Sequence, residues 1–268
     1  MKLSVSHHTT YRYDSPIRVA VQSLRITPSV FDGQSILDWE IAVEGGQKGA
    51  GFRDGAGDWI ESWSLRGPAD HVTVTVNGTV ETTDLSGLLR GHREAVNPGV
   101  YLRDTPATRA DAALSALARA VEAAEPLARA HALSAAVADA IAYRPGATEA
   151  HTTAAEALAL GEGVCQDHAH ALIGAARVLG LPARYASGYL FASEDGSPHE
   201  AAHAWAEIRI EGLGWVGFDP ANRCCPDDRY VRVGSGYDAH DAAPIRGIAR
   251  GLGVERLEVT VAVQQAQQ

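Results

Sequence analysis

The sequence predicts an α+β protein, with a β-rich N-terminal domain followed by a core in which helices precede a small sheet. Three patterns indicate this class. Apolar and polar residues alternate in several runs within residues 3–82, which is typical of strands. Apolar residues then recur at three- and four-residue steps within residues 109–143, which is typical of helices. A helix and strand at residues 165–189 and a hairpin at residues 203–218 complete the core.

Composition and charge limit the function classes. The chain has 268 residues, of which 46% are hydrophobic and 21% are charged, so it can form one large domain or two modest ones. The formal net charge is −10, and the sequence has no cluster of Lys and Arg. Because nucleic-acid binders present a basic surface to the phosphates, we expect no nucleic-acid partner.

Cysteine usage and the first residues indicate a location. The chain has three cysteines, two of them adjacent at Cys224 and Cys225. That is no disulfide framework, and it agrees with a reducing compartment. Residues 1–8 lack an apolar segment of signal-peptide length, and no run of about 18 apolar residues predicts a membrane span. We therefore expect a cytoplasmic protein without a membrane partner.

The N-terminal domain is predicted to span residues 1–85. Its alternating runs favour strands, and Gly and Pro residues between them supply turns, among them Ser15-Pro16 and Gly45-Gly46. The short spacing of the strands suits a small sandwich or barrel. The predicted strands are 3–13, 19–27, 37–43, 59–65 and 72–82.

Periodicity fades over residues 86–106, which we interpret as a linker to a core domain of residues 107–268. Alanine-rich helical periodicity follows the linker. The predicted helices are 109–124, 126–143 and a short one at 153–160. After the hairpin, residues 230–233 and 257–263 are predicted strands. The sequence leaves open whether the terminal strand pairs with the core or with the first domain.

Cys165 is the first candidate for chemistry. The apolar residues after it follow helical spacing, and Gly180 and Pro182 end the pattern, so Cys165 lies in the first turn of a helix. Unpaired backbone N–H groups and the positive end of the helix dipole favour a thiolate there. The alternative is a small buried hydrophobic residue, which describes most lone cysteines.

A hairpin supplies two partners for this cysteine. His203 opens an alternating strand, residues 203–210, and the second strand of the hairpin ends at Asp219. The start of one hairpin strand and the end of the other lie close together. A carboxylate at that point can hold an imidazole in one tautomer while its other nitrogen faces a thiol. Cys165, His203 and Asp219 are therefore a predicted Cys-His-Asp triad.

Four ordered motifs carry a family resemblance. They are GVCQDHAH at residues 163–170, GLPARYASGY at 180–189, HAWAE at 203–207 and GWVGFDPAN at 214–222. The set resembles the transglutaminase-like superfamily and, more closely, bacterial transglutaminase-like proteins that carry their own β-rich N-terminal region. Residues 8–13 and 241–247 are similar to flanking segments in that group, so the resemblance covers nearly the whole chain.

The resemblance implies a papain-like cysteine proteinase core, with Cys165 as nucleophile, His203 as base and Asp219 as the group that orients the base. The superfamily contains protein cross-linkers, peptidases, amidases and members that have lost the triad. All three triad positions are present in this sequence. Related proteins have a tyrosine-containing segment, similar to residues 143–148, just before the nucleophile loop.

Five further residues are predicted to line the cleft or bind substrate. Tyr143 can line the cleft or help the backbone N–H of Cys165 stabilise an oxyanion, although a packed tyrosine fits equally well. His168 is near enough on the helix to compete with His203 as base, but a role as a wall residue of the cleft or as a partner for another polar group is favoured. Asp167 can cap the helix or bind a substrate amine. The full set is Tyr143, Gln166, Asp167, His168 and Trp205.

Metal binding is an alternative use of the histidines and cysteines. Six residues are potential ligands, yet their spacings do not match the Cys-x2-Cys or His-x3-His patterns of structural zinc sites. We therefore predict no metal and no cofactor. The six residues are His168, His170, His199, His203, Cys224 and Cys225.

The favoured function is a cysteine-nucleophile enzyme that cleaves a peptide, isopeptide or glutamine-type amide through a thioester. Hydrolysis is preferred to amine transfer because water needs no second binding site. Two alternatives stay open: a cross-linking transglutaminase, and a non-catalytic binding or assembly module whose triad is idle. The expected partner is a peptide or protein substrate, and the chain could form a homo-oligomer.

Overall fold

The structure, a computed structural model, describes residues 1–191 and 201–266. Within these residues the strands are Lys2–Leu24 (β1), Gln34–Val43 (β2), Gln47–Arg53 (β3), Trp59–Thr82 (β4), Ala142–Tyr143 (β5), Glu162–Gly163 (β6), Ala183–Leu190 (β7), Ala202–Ile210 (β8), Gly214–Phe218 (β9), Tyr230–Gly236 (β10), Ile245–Arg250 (β11) and Glu255–Gln265 (β12). The α-helices are Ala112–Arg119 (α1), Pro126–Ala140 (α2), Ala154–Leu160 (α3) and Cys165–Val178 (α4), and Pro98–Leu102 forms a 3-10 helix.

Long bent strands build the N-terminal sheet. β1 pairs antiparallel with β4, and β4 pairs on its other side with β2 and then β3. The register between β1 and β4 shifts between Arg12 and Val19, where extra residues form bulges that bend the strands. The turn predicted at Ser15-Pro16 is therefore wrong. β1 continues through these residues, because Ile17 is buried in the core of the sheet and keeps the chain on it.

The last two strands of the chain also join this sheet. β12 pairs antiparallel with residues 3–13 of β1, and β11 pairs antiparallel with residues 19–24. Residues 245–265 therefore differ from the predicted boundary, which placed them in the core domain. The physical reason is that β1 has a free edge on the side away from β4, and apolar residues of β12, such as Val261 and Val263, pack on the N-terminal core from that edge.

The core packs helices against a second sheet. Its strand order is β10-β7-β8-β9, with every neighbouring pair antiparallel. α4 lies at the centre, where it packs against the other three helices and against β7 and β8. Gly174 allows this central position, because a Cβ there would lie 2.4 Å from the carbonyl oxygen of Thr108. The tight packing of α4 fixes the residue at its first position, Cys165.

Arg177 ties the far end of α4 to the segment that was predicted as a linker. Its buried guanidinium donates hydrogen bonds to the carbonyl oxygens of Tyr101, Ala183 and Tyr237 and to the hydroxyl of Thr108, over 2.6 to 3.0 Å. Burial lowers the pKa of Arg177 to about 10. Residues 101–108 are therefore fastened to the core.

The two domains share an apolar core and a group of buried charges. Tyr189, Val231 and Val233 of the core sheet pack with the apolar face of the N-terminal sheet. Beside them, the guanidinium of Arg232 lies 2.8 Å from the carboxylate of Asp58 in the N-terminal domain. The N-terminal sheet thus covers one face of the core sheet, while the helices pack on β7 and β8 from the other face.

Candidate active site

A short, tightly hydrogen-bonded loop holds Cys165. Gly161 ends α3 with a φ of 72°, a left-handed conformation that favours glycine, and the chain turns there toward α4. β5 and β6 pair in parallel and tie this loop to the end of α2. Asp167 closes the loop, because its Oδ2 accepts hydrogen bonds from the Val164 backbone N–H at 2.8 Å and the Thr148 hydroxyl at 2.6 Å. Cys165 thereby takes the first position of α4 and is half-buried.

His203 and Asp219 meet across the hairpin of β8 and β9. The Nε2–H of His203 donates to Oδ2 of Asp219 over 2.6 Å, and the Asp219 side chain is buried. Because this contact occupies Nε2, Nδ1 is the nitrogen left for the thiol of Cys165, which is close enough to raise the pKa of the same imidazole. The structure thus brings the three predicted triad residues together, with the imidazole between the thiol and the carboxylate.

The surroundings of His203 favour its charged form. Burial alone would lower the pKa of His203, but the hydrogen bonds and charges of Asp219 and Cys165 raise it to about 10. The same pairing lowers the pKa of Asp219, although burial opposes that shift. At neutral pH the imidazole therefore carries a proton between the carboxylate and the sulfur. A neighbouring imidazolium is one of the features that makes a cysteine nucleophilic.

Two side chains that the sequence analysis did not single out hold Asp219. Its Oδ2 accepts hydrogen bonds from the Asn222 amide and from the Tyr230 hydroxyl, each over 2.8 Å. Asn222 ends the GWVGFDPAN motif, and its place three residues after Asp219 was a usable signal. Tyr230 begins β10, which the pairing of distant strands brings to the site, and no local pattern predicts that contact.

Trp205 supports the imidazole from behind. Its ring is 2% exposed, stacks on His203 with 6.5 Å between centres, and meets the ring of Tyr230 edge-on at 5.6 Å. It also packs over Gly188, where a Cβ would lie 2.9 Å from the indole. The predicted contact of Trp205 with substrate stays a prediction, because the ring lies behind His203 and outside the described lining of the cleft. Both faces of β8 are covered, so the ring is buried and does not line the cleft of Cys165.

Cys165 and His203 lie on the wall of a cleft with a volume of about 330 Å³. β7 and the segment that follows β10 form much of the remaining wall, and His7 of β1 lines it from the N-terminal sheet. The nucleophile candidate therefore faces a space that both domains enclose.

His168, the alternative base, is turned away from this chemistry. Its Nδ1 lies 2.9 Å from the carbonyl oxygen of Val164, and its Nε2 lies 2.8 Å from that of Ile141. The side chain is buried, and both ring nitrogens face the backbone. His168 therefore joins the nucleophile loop to the end of α2 as a partner of backbone polar groups, and it lies outside the described lining of the cleft.

The other three predicted cleft residues have different places. Gln166 lines the cleft next to Cys165, and its side-chain amide donates to the carbonyl of Ala150 at 3.0 Å. Asp167 is buried and caps the first turn of α4, so it is not placed to bind a substrate amine. Tyr143 is half-exposed on β5, with its ring centre 6.3 Å from that of His168, and lies outside the described lining of the cleft.

The potential metal ligands that the structure describes do not converge on one point. Within residues 1–191 and 201–266, no group of three or more His, Cys, Asp or Glu side chains is arranged to hold a metal ion. His199 lies outside the described residues. The three cysteines are free thiols. Burial raises the pKa of Cys224 and, with the charge of Cys224, raises the pKa of Cys225 to about 11.

Two family models match this chain. Residues 115–220 match the transglutaminase-like superfamily, and residues 3–81 match the bacterial transglutaminase-like N-terminal region. The first range contains Cys165, His203 and Asp219. In the described part of the chain, no helix is both long and apolar enough to cross a bilayer.

Several proteins are similar to this chain. An uncharacterized protein of Mycobacterium leprae is 30% identical over 280 residues, which cover 98% of this chain and 98% of that protein. An uncharacterized protein of Mycobacterium tuberculosis is 42% identical over 120 residues, which cover 40% of this chain and 37% of that protein. The crystal structure of a "putative cysteine protease" from Cytophaga hutchinsonii has a TM-score of 0.72 at 23% identity, covering 100% of this chain and 92% of that chain. This likeness shows the fold, and the predicted fold class is confirmed.

Proposed function

The chain belongs to the transglutaminase-like superfamily, and from this premise we propose that it is a cysteine-dependent amidase or peptidase. It hydrolyses a peptide, isopeptide or glutamine-type amide through a thioester. The observation that carries the proposal is the imidazole of His203, which is hydrogen-bonded to Asp219 and lies with Cys165 on the wall of one cleft.

The first half of the reaction forms a thioester. The Cys165 sulfur attacks the amide carbonyl carbon, and the carbonyl π electrons move to oxygen to give a tetrahedral oxyanion. Cys165 is the first residue of α4, so its backbone N–H has no acceptor within the helix and can donate to that oxyanion. His203 then gives its proton to the leaving nitrogen. The C–N bond breaks, the amine departs, and an acyl-Cys165 thioester stays on the enzyme.

The second half releases the acid. His203, now neutral, takes a proton from a water molecule as the water oxygen attacks the thioester carbonyl. Collapse of the second tetrahedral intermediate re-forms the carbonyl, breaks the C–S bond and expels the sulfur as a thiolate. The acid departs and the imidazole keeps the proton that it took from water, so the sulfur and imidazolium regain their starting state. Asp219 keeps its charge throughout and holds the ring, with Asn222 and Tyr230 fixing the carboxylate.

Hydrolysis is favoured over amine transfer by the lining of the cleft. A cross-linking enzyme must hold a second substrate, an amine, beside the thioester. No Asp or Glu belongs to the described lining of the cleft, so among these residues no carboxylate is available to attract an ammonium group. Water needs no such site.

The test is mass spectrometry of a peptide pool that contains glutamine and isopeptide bonds, incubated with the protein in the presence and absence of a primary amine. We expect deamidation or cleavage that does not depend on the amine and that is absent with Cys165→Ala. Cys225→Ala is a matched control, because it removes a partly buried thiol outside the triad and should leave turnover intact. Amine incorporation would replace the proposal with a transglutaminase, and products that persist with Cys165→Ala would overturn it.

A further inference from the structure

One residue of the N-terminal sheet reaches the cleft. His7 lies on the buried face of β1, where it is opposite Val76 of β4 and Val261 of β12. A valine would continue that apolar face. The histidine instead contacts the hydroxyl of Tyr189 in the core sheet, with 2.8 Å between Nδ1 and the oxygen, while its Nε2 lies 2.8 Å from the Thr9 hydroxyl. His7 and Tyr189 both line the cleft of Cys165.

The polar side chains of the cleft wall are largely occupied by the protein itself. The Ser187 hydroxyl donates to the carbonyl oxygens of Gly234 and Ala242 at 3.4 and 3.2 Å. The Gln166 amide donates to Ala150, and the hydroxyl of Tyr189 is engaged by His7. Within the described part of the wall, these three polar side chains already have partners in the protein.

The described lining also carries no formal charge apart from the catalytic pair. It includes no Asp, Glu, Lys or Arg. Burial, with a smaller effect of the neighbouring His8, lowers the pKa of His7 to about 4, so this imidazole is neutral at pH 7. Burial likewise raises the pKa of Tyr185 well above its usual value and keeps its hydroxyl protonated. Apart from the His203 imidazolium, the described wall offers no ionic partner to a charged side chain, which would lose its hydration in this cleft.

Small residues make the space. Ala and Gly residues occupy much of the wall and leave room for a side chain of the substrate. They are Gly188, Ala202, Ala204, Ala239, Ala242 and Ala243.

We infer that the cleft selects an uncharged, largely apolar residue on the acyl side of the scissile amide, and that the N-terminal domain takes part in this selection through His7. The inference rests on the proposed function, because it assigns a substrate class to the same thiol. His7 acts on the shape and polarity of the site, whereas Cys165, His203 and Asp219 perform the chemistry.

The test separates recognition from the reactivity of the thiol. Peptidyl vinyl sulfones that differ only in the acyl-side residue (Leu, Phe, Ala, Lys or Glu) are reacted with the full chain, and modification of Cys165 is followed by mass spectrometry. Each rate constant is divided by that of iodoacetamide, which has no peptide part. We expect the Leu and Phe probes to exceed the Lys and Glu probes by about tenfold or more, the scale set by one or two methylene groups in an apolar pocket.

Variants assign the selection to the N-terminal domain. His7→Leu removes the contact with Tyr189 and changes the shape of the wall, so the ratio between the Leu and Phe probes should shift several-fold. His8→Leu is the matched control, since the neighbouring His8 is exposed on the other face of β1 and should keep the wild-type ratio. If His7→Leu does not fold, His7→Gln replaces it, with the same shift expected in a smaller amount.

The outcomes distinguish the inference from the proposed function. If iodoacetamide modifies Cys165 no faster than Cys225, the proposed function fails. If Cys165 is the reactive thiol but the five probes react alike, or the charged probes react faster, the substrate class is overturned. A selective cleft whose Leu-to-Phe ratio is the same in the wild type and the folded His7 variant would overturn the role of the N-terminal domain.

Discussion

One face of β8 carries two buried ionic groups that have different roles. His203 at the start of the strand is paired with Asp219 at 2.6 Å. Four residues later, Glu207 lies between Arg184 and Arg232, with 2.7 Å from its carboxylate to each guanidinium. In both groups the pKa is far from its usual value. That of His203 is raised to about 10, and that of Glu207 is lowered to about 2 because the charges of Arg232 and Arg184 outweigh burial.

Access separates the two groups. His203 lines the cleft beside a thiol, whereas the side chains of Glu207, Arg184 and Arg232 are at most 3% exposed. Arg232 also pairs with Asp58, so the Glu207 group joins the core sheet to the N-terminal domain. A shifted pKa alone therefore does not locate an active site. The first group faces the cleft of Cys165, whereas the second is buried and joins the two domains.

The largest effect should come from removing the imidazole of the group formed by His203 and Asp219. His203→Ala leaves Cys165 without its proton acceptor, and we expect turnover to fall by about four orders of magnitude or more. The preference of a thiol reagent for Cys165 over Cys225 should disappear as well. Peptide mapping after brief alkylation measures this preference.

His168→Gln is the matched control for that experiment. It changes a histidine on the same helix as Cys165 whose nitrogens face the backbone. The Cys165 preference should persist in the folded variant. Loss of the preference with His168→Gln and its retention with His203→Ala would exchange the roles assigned to the two histidines.

The second-largest effect concerns the stability of the protein and comes from the buried group of Glu207, Arg184 and Arg232. Glu207→Ala leaves Arg184 and Arg232 buried without the carboxylate between them, and we expect a loss of about 3–5 kcal/mol in the free energy of unfolding. Cys165 should keep its reactivity in the fraction that stays folded. Urea denaturation gives the stability, and alkylation below the transition gives the reactivity. If the Glu207→Ala protein were stable but its Cys165 were unreactive, Glu207 would act on the thiol and not on stability, which contradicts the roles assigned to the two groups.

The pH dependence of stability distinguishes the two groups. The His203 group should lose its contribution to the free energy of unfolding at high pH, and the Glu207 group should lose its contribution at low pH. Because the pKa of His203 is raised, its contribution to the free energy of unfolding is fully present below 6.5, the ordinary pKa of histidine, and is lost as pH rises toward about 10. The lowered pKa of Glu207 means that its contribution is present above 4.5 and is lost as pH falls toward about 2.

Unfolding in urea across this pH range measures both effects. Asp219→Asn should flatten the alkaline decline, because it removes the charge that raises the pKa of His203. Glu207→Gln should flatten the acid decline and leave the alkaline one in place. If each variant altered the opposite limb, the assignment of the two shifts would be wrong.

Local patterns predicted much of the site but little of what surrounds it. Helical spacing placed Cys165 at a helix start, and alternation placed His203 and Asp219 at facing ends of a hairpin. Alternation along the same strand puts Glu207 on the face of His203, and the Glu207 side chain is buried. Its partners Arg184 and Arg232 come from β7 and β10, so only the pairing of distant strands shows why a carboxylate is tolerated there.

Strand pairing over long separations also explains the differences in the N-terminal sheet. The pattern at Ser15-Pro16 is typical of a turn, but the pairing of β1 with β4 before and after these residues carries the strand through. β12 joins the sheet at the free edge of β1, and these two strands lie near opposite ends of the sequence. A local sequence window contains neither partner, so neither result could be predicted from it.

The smallest expected effect concerns the hydroxyl of Tyr230. Tyr230→Phe removes one donor to the Asp219 carboxylate and leaves the donor on Asn222. One hydrogen bond to a charged group, worth about 1.5–3 kcal/mol, is lost, and turnover should fall by about tenfold to a hundredfold. With one donor fewer, the Asp219 carboxylate is more basic and draws the His203 proton more strongly. The pH profile of turnover should therefore change on its alkaline side, whereas a loss of packing alone would lower the rate equally at every pH. Glu207→Gln, measured in parallel, should leave that side of the profile where it is. If the Tyr230→Phe pH profile were lowered but not displaced, Tyr230 would only pack against Trp205 and would not affect the pKa of the His203–Asp219 pair.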